Sequence, residues 1–560
     1  MVKKILQFLG REQGGLHEAA YLLGFFTLLA QLLGFLRDRL LASHFGASTT
    51  LDLYYAAFRV PDFIFIWSAS AVSLSVLIPF LTRKLQESKG AAREFLDTVF
   101  TAFFLSIVIV SALAMALAPY LVSLLFPGFG AKEGVEVVLL MRIMLLQPIF
   151  LGISNLFASV TQLERRFFVY AVSPILYNFG IIIGIFFLYP VFGLSGLAYG
   201  VVLGAMLHLL VQIPVIIRSG LLPRLSLRIN WREVREVALV SFPRTFALSA
   251  QNIAVLVLTA LGSLLGAGSI AVFNLSWNLQ SVPLGVVGAS YSLSAFPMLS
   301  GFWGAGEHSK FLSTVSSSLR HIIFWSFPAL ALFVVLRAQI VRTVLGAGAF
   351  DWDDTRLTAA ALALFAVSIV AQGILLLFTR AYYAGGKTRA PVLIALSGAL
   401  VTVVSAFFFV HLFSAFPSIR YFLEALLRVS DVGGASVLAL PLAYSCGTLI
   451  SAGLSWVFFS RLFGALDHLV YRTLWESFAA AVFTGFSAYL LLNVFDVVFN
   501  IRTALGIFLQ GLCAGVGGIA VGALILYLLR NAELREIWKT LHHKIWRATF
   551  IGPDPTDTAF

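Results

Sequence analysis

Ionised side chains interrupt stretches of this sequence that are otherwise apolar enough for lipid. They fall in the runs 22–42 and 51–81 and at the start of a run near 237, and they are Arg37, Asp38, Arg39, Arg59, Asp62 and Arg244. A charged side chain at bilayer depth costs about 2.5–3.5 kcal/mol on insertion scales, so such residues usually face a bundle interior or a watery cavity. Because most of the set is basic, the sequence predicts a transporter with a cationic cavity for an anionic ligand.

The composition is typical of a polytopic membrane protein. Of the 560 residues, 60% are hydrophobic and 11% are charged, whereas soluble domains are about 45–50% apolar and about 25% charged. The net charge of +12 comes from basic residues spread through short loops, so it indicates orientation in a membrane and not nucleic-acid binding. Cys446 and Cys513 both lie in apolar runs, which argues against a disulfide framework and a metal site.

Apolar runs of about 20 residues, the length that crosses a bilayer as a helix, predict fourteen spans. These lie near residues 20–42, 51–81, 95–125, 136–160, 167–189, 194–217, 237–264, 269–300, 319–345, 357–384, 391–413, 437–460, 473–497 and 503–529. With a cytoplasmic N-terminus, 26 of the 38 Lys and Arg residues fall on the cytoplasmic side and 6 on the opposite side. This asymmetry obeys the positive-inside rule and predicts that both termini are cytoplasmic.

The second group of six spans echoes the first. Phe45-Gly46-Ala47 corresponds to Leu265-Gly266-Ala267, and Ala69-Ser70 corresponds to Ala289-Ser290. Six spans are an even number, so the halves would be parallel repeats, a transporter plan in which the substrate site lies between them. We therefore expect an all-α protein with an N-terminal lobe over 1–230, a second lobe over 231–465, two additional helices over 466–530 and a cytoplasmic amphipathic tail over 531–560.

Several motifs resemble those of one family. Gly34-Phe35-Leu36-Arg37-Asp38, Phe45-Gly46-Ala47 and Ala57-Phe58-Arg59-Val60-Pro61 resemble the N-terminal signature of the MurJ/MviN lipid II flippases, within the multidrug/oligosaccharidyl-lipid/polysaccharide exporter superfamily. The segment 382–391, Tyr-Tyr-Ala-Gly-Gly-Lys-Thr-Arg-Ala-Pro, is similar to the family's sequence after the tenth span. The resemblance covers nearly the whole chain and implies fourteen spans arranged as six, six and two.

The resemblance also implies a function. Family members move lipid II, a disaccharide-pentapeptide on undecaprenyl pyrophosphate, from the inner to the outer leaflet by alternating access. It implies a monomeric, multi-pass protein of the bacterial cytoplasmic membrane that supports peptidoglycan synthesis, is not an enzyme and carries no cofactor. The membrane potential or an ion would drive the return step, and the last two spans would form a groove for the polyprenyl tail.

Eight residues form the predicted site. The predicted substrate ligands are Arg37, Arg59, Arg244 and Asn278, and the predicted gating or ion-pair residues are Asp38, Arg39, Asp52 and Asp62. Arg37 and Arg244 together are expected to hold the pyrophosphate. Many family members have an arginine where this chain has Gln31, and an Asp-Arg pair where it has Trp277-Asn278. The candidates to compensate for these missing arginines are Arg244 and Arg39, and the sequence leaves open whether they do so.

Other functions stay open at this stage. The departures leave room for another polyprenyl-linked glycan as cargo. A drug/cation antiporter of the same superfamily would need mainly acidic cavity residues, whereas the candidates here are mostly basic. A channel would need a filter motif, which the sequence lacks. The segment Asp351-Trp352-Asp353-Asp354 resembles the acidic pair of a metal-dependent membrane glycosyltransferase, but without a nearby His or Glu cluster a helix cap explains it better.

Overall fold

All regular structure in the described residues is helical. The computed structural model describes residues 16–71, 74–500 and 502–546. In the first part of the chain the helices are α1 (Leu16–Phe45), α2 (Thr49–Ala71), α3 (Leu74–Glu87), α4 (Lys89–Ala116), α5 (Ala118–Leu125), α6 (Ala131–Met144), α7 (Gln147–Leu163), α8 (Phe167–Ile183), α9 (Tyr189–Phe192), α10 (Leu194–Leu210), α11 (Ile213–Ser219) and α12 (Trp231–Ser263). In the second part they are α13 (Ser269–Pro283), α14 (Ser290–Gly304), α15 (His308–Val335), α16 (Arg337–Val344), α17 (Trp352–Ala366), α18 (Ile369–Ala384), α19 (Arg389–Ala415), α20 (Pro417–Leu427), α21 (Ala439–Phe463), α22 (His468–Val498), α23 (Ala504–Leu528) and α24 (Ala532–Trp546). The predicted all-α membrane fold is confirmed.

Each predicted span coincides with one helix or with consecutive helices. Within the described residues, eleven helical spans are long and apolar enough to cross a membrane, or twelve if α17 and α18, which are bent by 45°, form one broken span. Helices α1 and α2, which carry the ionised residues, are not among them. Twelve spans together with α1 and α2 would give fourteen. The count of fourteen therefore stays a prediction. The chain is a multi-pass membrane protein.

Proline and π-helical segments set the breaks within the long spans. Pro119, Pro148 and Pro214 each stand in the first turn of a helix, where the missing N–H costs no intrahelical hydrogen bond. Two π-helical segments, Gly184–Leu188 and Leu284–Ala289, lie beside prolines inside longer spans. A proline in a helix interior removes a hydrogen bond and favours such local widening. Helix type therefore changes beside Pro190 and Pro283.

The helices group into two compact units. The first comprises Met1–Leu279, Ile340–Ser368 and Lys387–Ser455, and the second comprises Gln280–Gln339, Ile369–Gly386 and Trp456–Phe560. In the first, α12 packs on α2 and α19, while α8 packs on α1 and α10. In the second, α22 packs on α15 and α23. The predicted lobes at 1–230 and 231–465 stay a prediction, and the predicted tail contains α24.

Aromatic side chains from three helices pack against one another within a hydrophobic cluster of the first unit. The ring centroids of Trp277 and Tyr444 are 4.5 Å apart, and those of Phe273 and Phe365 are 5.4 Å apart. Edge-to-face pairs at such distances add about 0.5–1.5 kcal/mol to the gain from area burial. The cluster holds α13, α17 and α21 together. It therefore fixes the backbone of α13, which carries Asn278.

Small residues allow α8 and α10 to approach closely. Glycines spaced by four residues line both helices, and they are Gly180, Gly184, Gly196, Gly200 and Gly204. A Cβ added at Gly204 would lie 2.3 Å from the Tyr177 carbonyl oxygen, and one at Gly180 would lie 2.3 Å from the Gly204 Cα. Such spacing is the usual way in which membrane helices reach backbone contact.

We expect Gly204→Ala to destabilise the protein by about 1–3 kcal/mol, the usual range for overpacking. The added methyl meets a backbone oxygen, which cannot move unless α8 and α10 separate. Thermal unfolding of the purified protein in detergent measures the effect. Gly134→Ala in α6 is the control, because nothing lies within 4 Å of a Cβ at that position. Equal melting temperatures for the two variants would contradict the packing argument.

Candidate functional site

Arg37 and Asp38 lie at the centre of a polar cluster formed by α1, α8 and α13. Arg37 donates to Asp38 Oδ1 from Nη2 at 2.7 Å and from Nε at 3.0 Å. Its Nη1 donates to Asn178 Oδ1 at 2.9 Å, while Asn278 Nδ2 donates to Asp38 Oδ2 at 2.9 Å. The structure thus brings together three predicted site residues, Arg37, Asp38 and Asn278. Asp38 is buried, and both of its oxygens accept hydrogen bonds.

A second group of polar side chains lies along α2. Arg59 Nη2 donates to Asn274 Oδ1 on α13, and Gln147 Nε2 donates to Asp62 Oδ1 at 3.2 Å. The Arg59 Nε atom and the Tyr55 hydroxyl are buried and have no hydrogen-bond partner among the described residues. Buried donors normally find partners. Arg59 and Tyr55 therefore offer unused hydrogen-bonding capacity to a ligand.

The polar residues of α2 share one helical face. Asp52, Tyr55, Arg59 and Asp62 stand at positions i, i+3, i+7 and i+10. Residues three and four apart are neighbours on a helix surface, so the four form a continuous stripe. The stripe is flanked by the buried side chains of Leu51, Leu53 and Ala56. This spacing is a signal in the sequence that could have identified Tyr55, which the sequence analysis missed.

Asp52 joins the start of α2 to the start of α13. Its Oδ2 accepts from the Gly268 backbone N–H and its Oδ1 from that of Ala271, both at 2.7 Å. The carboxylate is buried and caps the N-terminal end of α13, where the first N–H groups have no intrahelical partner. Its negative charge also faces the positive end of the helix dipole. Asp52 thereby joins segments of the two predicted repeats.

Two more charged residues, Arg39 and Asp354, bind backbone groups near helix ends. Arg39 Nη1 donates to the carbonyl oxygens of Thr343 at 2.6 Å and of Val344 at 3.1 Å, at the C-terminal end of α16. Asp354 Oδ2 accepts from the Ala47 N–H at 3.0 Å, just before α2. We call this set of contacts, with Asp52, the helix-end junction. The contacts of the helix-end junction therefore join charged side chains, those of Arg39, Asp52 and Asp354, to backbone groups near helix ends.

Glycine permits the close backbone approach at the helix-end junction. Gly268 has φ +81° and Gly348 has φ +56°, which is the left-handed region that favours glycine. A Cβ would lie 2.1 Å from the Ala47 carbonyl oxygen in the first case and 2.3 Å from the Ser43 carbonyl oxygen in the second. The Ala349 N–H also donates to the Ser43 oxygen at 2.8 Å. The chain is therefore packed backbone to backbone at this end.

One predicted ligand, Arg244, and three amides that the sequence did not predict remain to be placed. Position 244 lies within α12, but the Arg244 side chain is outside the described residues. Its pairing with Arg37 stays a prediction. Contacts that the sequence did not signal involve the amides of Gln147, Asn178 and Asn274, because an amide in a span is as often helix–helix glue as a site residue. Asp351 caps α17, accepting from the Asp354 N–H at 2.8 Å, as the helix-cap interpretation expects.

Comparison with known proteins identifies the family. The sequence model of the family "Lipid II flippase MurJ" matches residues 41–508. The chain belongs to this family. It is similar to lipid II flippase MurJ of Burkholderia cenocepacia, with 27% identity over 397 residues that cover 69% of this chain and 77% of the relative. It is also similar to a probable lipid II flippase MurJ of Rickettsia prowazekii, with 26% identity over 69% of this chain and 76% of the relative.

Solved structures share the fold of this chain. A structure of lipid II flippase MurJ in an inward closed conformation superposes with a TM-score of 0.72 and 20% identity, covering 92% of this chain and 99% of that one. An inward-facing MATE family transporter of the MOP superfamily gives a TM-score of 0.62 and 13% identity, covering 78% and 94%. The predicted family is confirmed. Membership of a flippase family also confirms that the chain is a transporter and not an enzyme.

We expect Asp52→Ala to loosen the helix-end junction. The change removes two hydrogen bonds to a charged acceptor, each worth about 1.5–3 kcal/mol, and leaves the Gly268 and Ala271 N–H groups uncapped. The measurement is the rate of maleimide labelling at Ala47→Cys in purified protein with Cys446 and Cys513 replaced by serine. Labelling should become at least about 100-fold faster, because every 1.4 kcal/mol is a factor of ten.

The control for this experiment is a helix cap elsewhere. Thr503 caps α23, accepting from the Gly506 N–H at 3.0 Å, and does not belong to the helix-end junction. Thr503→Ala should leave the labelling rate at position 47 unchanged. If Asp52→Ala labels no faster than this control, Asp52 does not hold the junction closed.

Proposed function

We propose that this chain is a flippase that moves lipid II from the inner to the outer leaflet of the bacterial cytoplasmic membrane by alternating access. The observation that supports it best is the polar stripe of α2, where the Arg59 Nε and the Tyr55 hydroxyl lack partners among the described residues. The names of the relatives, lipid II flippase MurJ, support the same cargo. The disaccharide-pentapeptide would travel past this stripe while the polyprenyl tail stays in lipid.

Arg59 is the first candidate ligand for the pyrophosphate. A guanidinium has five N–H donors, and the described contacts of Arg59 use only one of them, toward Asn274. Phosphate oxygens accept paired, charge-assisted bonds from such a fork. A partly buried arginine whose Nε has no partner in the described part of the chain is costly, and an anionic cargo would supply the missing charge. Tyr55, one turn away on the same face, would donate its hydroxyl to the same group.

Arg37 is proposed to act by exchanging partners. In the structure its charge is balanced by Asp38, and three of its N–H groups donate to Asp38 and Asn178. Two donors stay available for a phosphate. Because Asn278 also donates to Asp38, the carboxylate would keep one partner while Arg37 turns toward the cargo. Arg244 remains a proposed third ligand.

The helix-end junction is proposed to be the outer gate. The positive-inside distribution supports cytoplasmic termini, which puts the start of α2 on the opposite side. Asp52, Arg39 and Asp354 hold this end closed through backbone contacts, so opening would require their release. We further propose that the protein acts as a monomer without a cofactor. The membrane potential or a coupled ion would drive the return step.

The second candidate cargo is another polyprenyl-linked glycan. Gln31 and Asn278 stand where many relatives have arginine, and Asn278 is engaged with Asp38 and not with a free cation site. Fewer cavity arginines favour a less highly charged head group, such as another polyprenyl-linked glycan. A drug antiporter fits less well, because Asp38 and Asp62 already accept hydrogen bonds from protein groups.

Complementation of a bacterium depleted of its own lipid II flippase tests the cargo. We expect the chain to restore growth, Arg59→Ala to reduce rescue by tenfold or more, and Arg59→Lys to restore part of it, because lysine keeps the charge but loses the fork. Arg142→Ala is the control, since Arg142 donates to the exposed Met115 carbonyl. Failure of the inserted wild-type chain would point to another glycan, whereas full rescue by Arg59→Ala would exclude Arg59 as a ligand.

A double variant separates structural from transport roles at Arg37. Arg37→Ala leaves Asp38 as an uncompensated buried charge and should destabilise the protein by about 3–5 kcal/mol. Arg37→Ala with Asp38→Asn removes both charges and should recover most of the thermal stability. We expect this double variant to fold but to transport poorly. Normal transport by the stable double variant would limit Arg37 to a structural ion pair.

A further inference from the structure

The second unit contains a polar cavity that is separate from the site described above. Its volume is about 480 Å³, and it lies between the N-terminal half of α14, the N-terminal half of α15 and the residue that precedes α22. Hydroxyl groups form much of its wall, contributed by Ser294, Ser313, Thr314, Ser316, Ser317 and Ser318. The other lining includes Arg320 and Asp467. A cavity of this size at helix ends can hold a lipid head group.

The cavity lining includes one cationic residue, Arg320, and one anionic residue, Asp467. The Asp467 backbone N–H is 3.5 Å from Ser316 Oγ, and Arg320 follows Ser316 by one helical turn on α15. The guanidinium and the carboxylate therefore line one cavity from two different elements, α15 and the residue before α22. A ligand that matches this wall carries an anion and a cation separated by a short linker.

Arg320 is held in position but keeps donors for a ligand. Its Nε lies 3.3 Å from Glu533 Oε1, and Glu533 also accepts from Thr473 Oγ1 at 3.1 Å. Glu533 is buried, so it orients the guanidinium from behind. The described contacts leave the Nη groups of Arg320 unused. These groups are the ones that pair with phosphate oxygens.

The hydroxyl groups offer acceptors to a cation that carries N–H groups. Ser313 and Thr314 each donate their single proton to the Lys310 carbonyl oxygen, at 3.0 and 2.8 Å. Ser294 donates likewise to the Ser290 oxygen at 2.9 Å. Their lone pairs therefore remain as acceptors. A primary ammonium can donate to them and to Asp467, whereas a quaternary ammonium has no N–H to donate.

We propose that this cavity binds a phospholipid with a phosphoethanolamine head group, its phosphate on Arg320 and its ammonium on Asp467 and the hydroxyls. The phosphate and the ammonium of this group are separated by two carbons, so one head group carries both charges into a cavity of about 480 Å³ that Arg320 and Asp467 both line. Exposed apolar side chains favour a lipid over a soluble ligand, because Met298, which lines the cavity, is 53% exposed and Leu293 on the same helix is 57% exposed. An acyl chain would cover them.

Native mass spectrometry of the full chain in detergent tests the proposal. Phosphatidylethanolamine, phosphatidylcholine and phosphatidylglycerol with identical acyl chains are added in turn. We expect phosphatidylethanolamine to bind about tenfold more tightly than either of the others. Millimolar phosphoethanolamine should not displace it, because the acyl chains contribute to binding. Equal binding of the three lipids, or displacement by the soluble head group, would overturn the lipid site.

Two variants keep the test independent of folding. Asp467→Asn removes the charge but keeps a side chain that caps α22 well, and it should abolish the preference for ethanolamine over choline. Ser294→Phe fills the exposed rim and should weaken all binding at the cavity. Asp351→Asn, at the equivalent cap of α17, is the matched control and should leave the preference intact. Retention of the preference in both cavity variants would refute the proposal.

Discussion

The central constraint on this molecule is that a buried charge in a membrane helix bundle must keep hydrogen-bond or ion-pair partners. Asp38 meets the constraint through Arg37 on one oxygen and Asn278 on the other. An unpaired carboxylate in this position would cost several kcal/mol. The need for these partners ties α1, α8 and α13 together at one point. The polar cluster is thus a packing requirement of the fold as well as a candidate binding site.

Helix α2 connects that cluster to the helix-end junction. Its polar stripe begins at Asp52, which caps α13, and continues to Arg59, which donates to Asn274 on the same α13. Two hydrogen-bonded contacts about two turns apart fix the register of α2 against α13. A shift of α2 along this partner would break both contacts together. The proposed gate and the proposed ligand site therefore share one structural element, so a hinge or shear motion of α2 would affect both.

Much of the fold was predictable from composition and hydropathy. The predicted spans coincide with helices because about 20 apolar residues leave a membrane chain no alternative that satisfies its backbone. Breaks were harder to predict. The run 357–384 appears as one span in the sequence, yet it is bent by 45° between α17 and α18. The buried Ser368 in the intervening turn donates to the Phe365 carbonyl, which stabilises the bend in a way that hydropathy does not record.

The sequence by itself determined the class of protein, the helical segments and which ionised residues interrupt apolar runs, because these follow from local composition and periodicity. Only the tertiary structure decided what each charge does. Arg37 and Arg39 are two positions apart, yet one pairs with Asp38 and the other binds carbonyls at the end of α16. The partners of Arg39 are some 300 residues away in the chain. Pairing energies depend on distance in space, which no local pattern encodes.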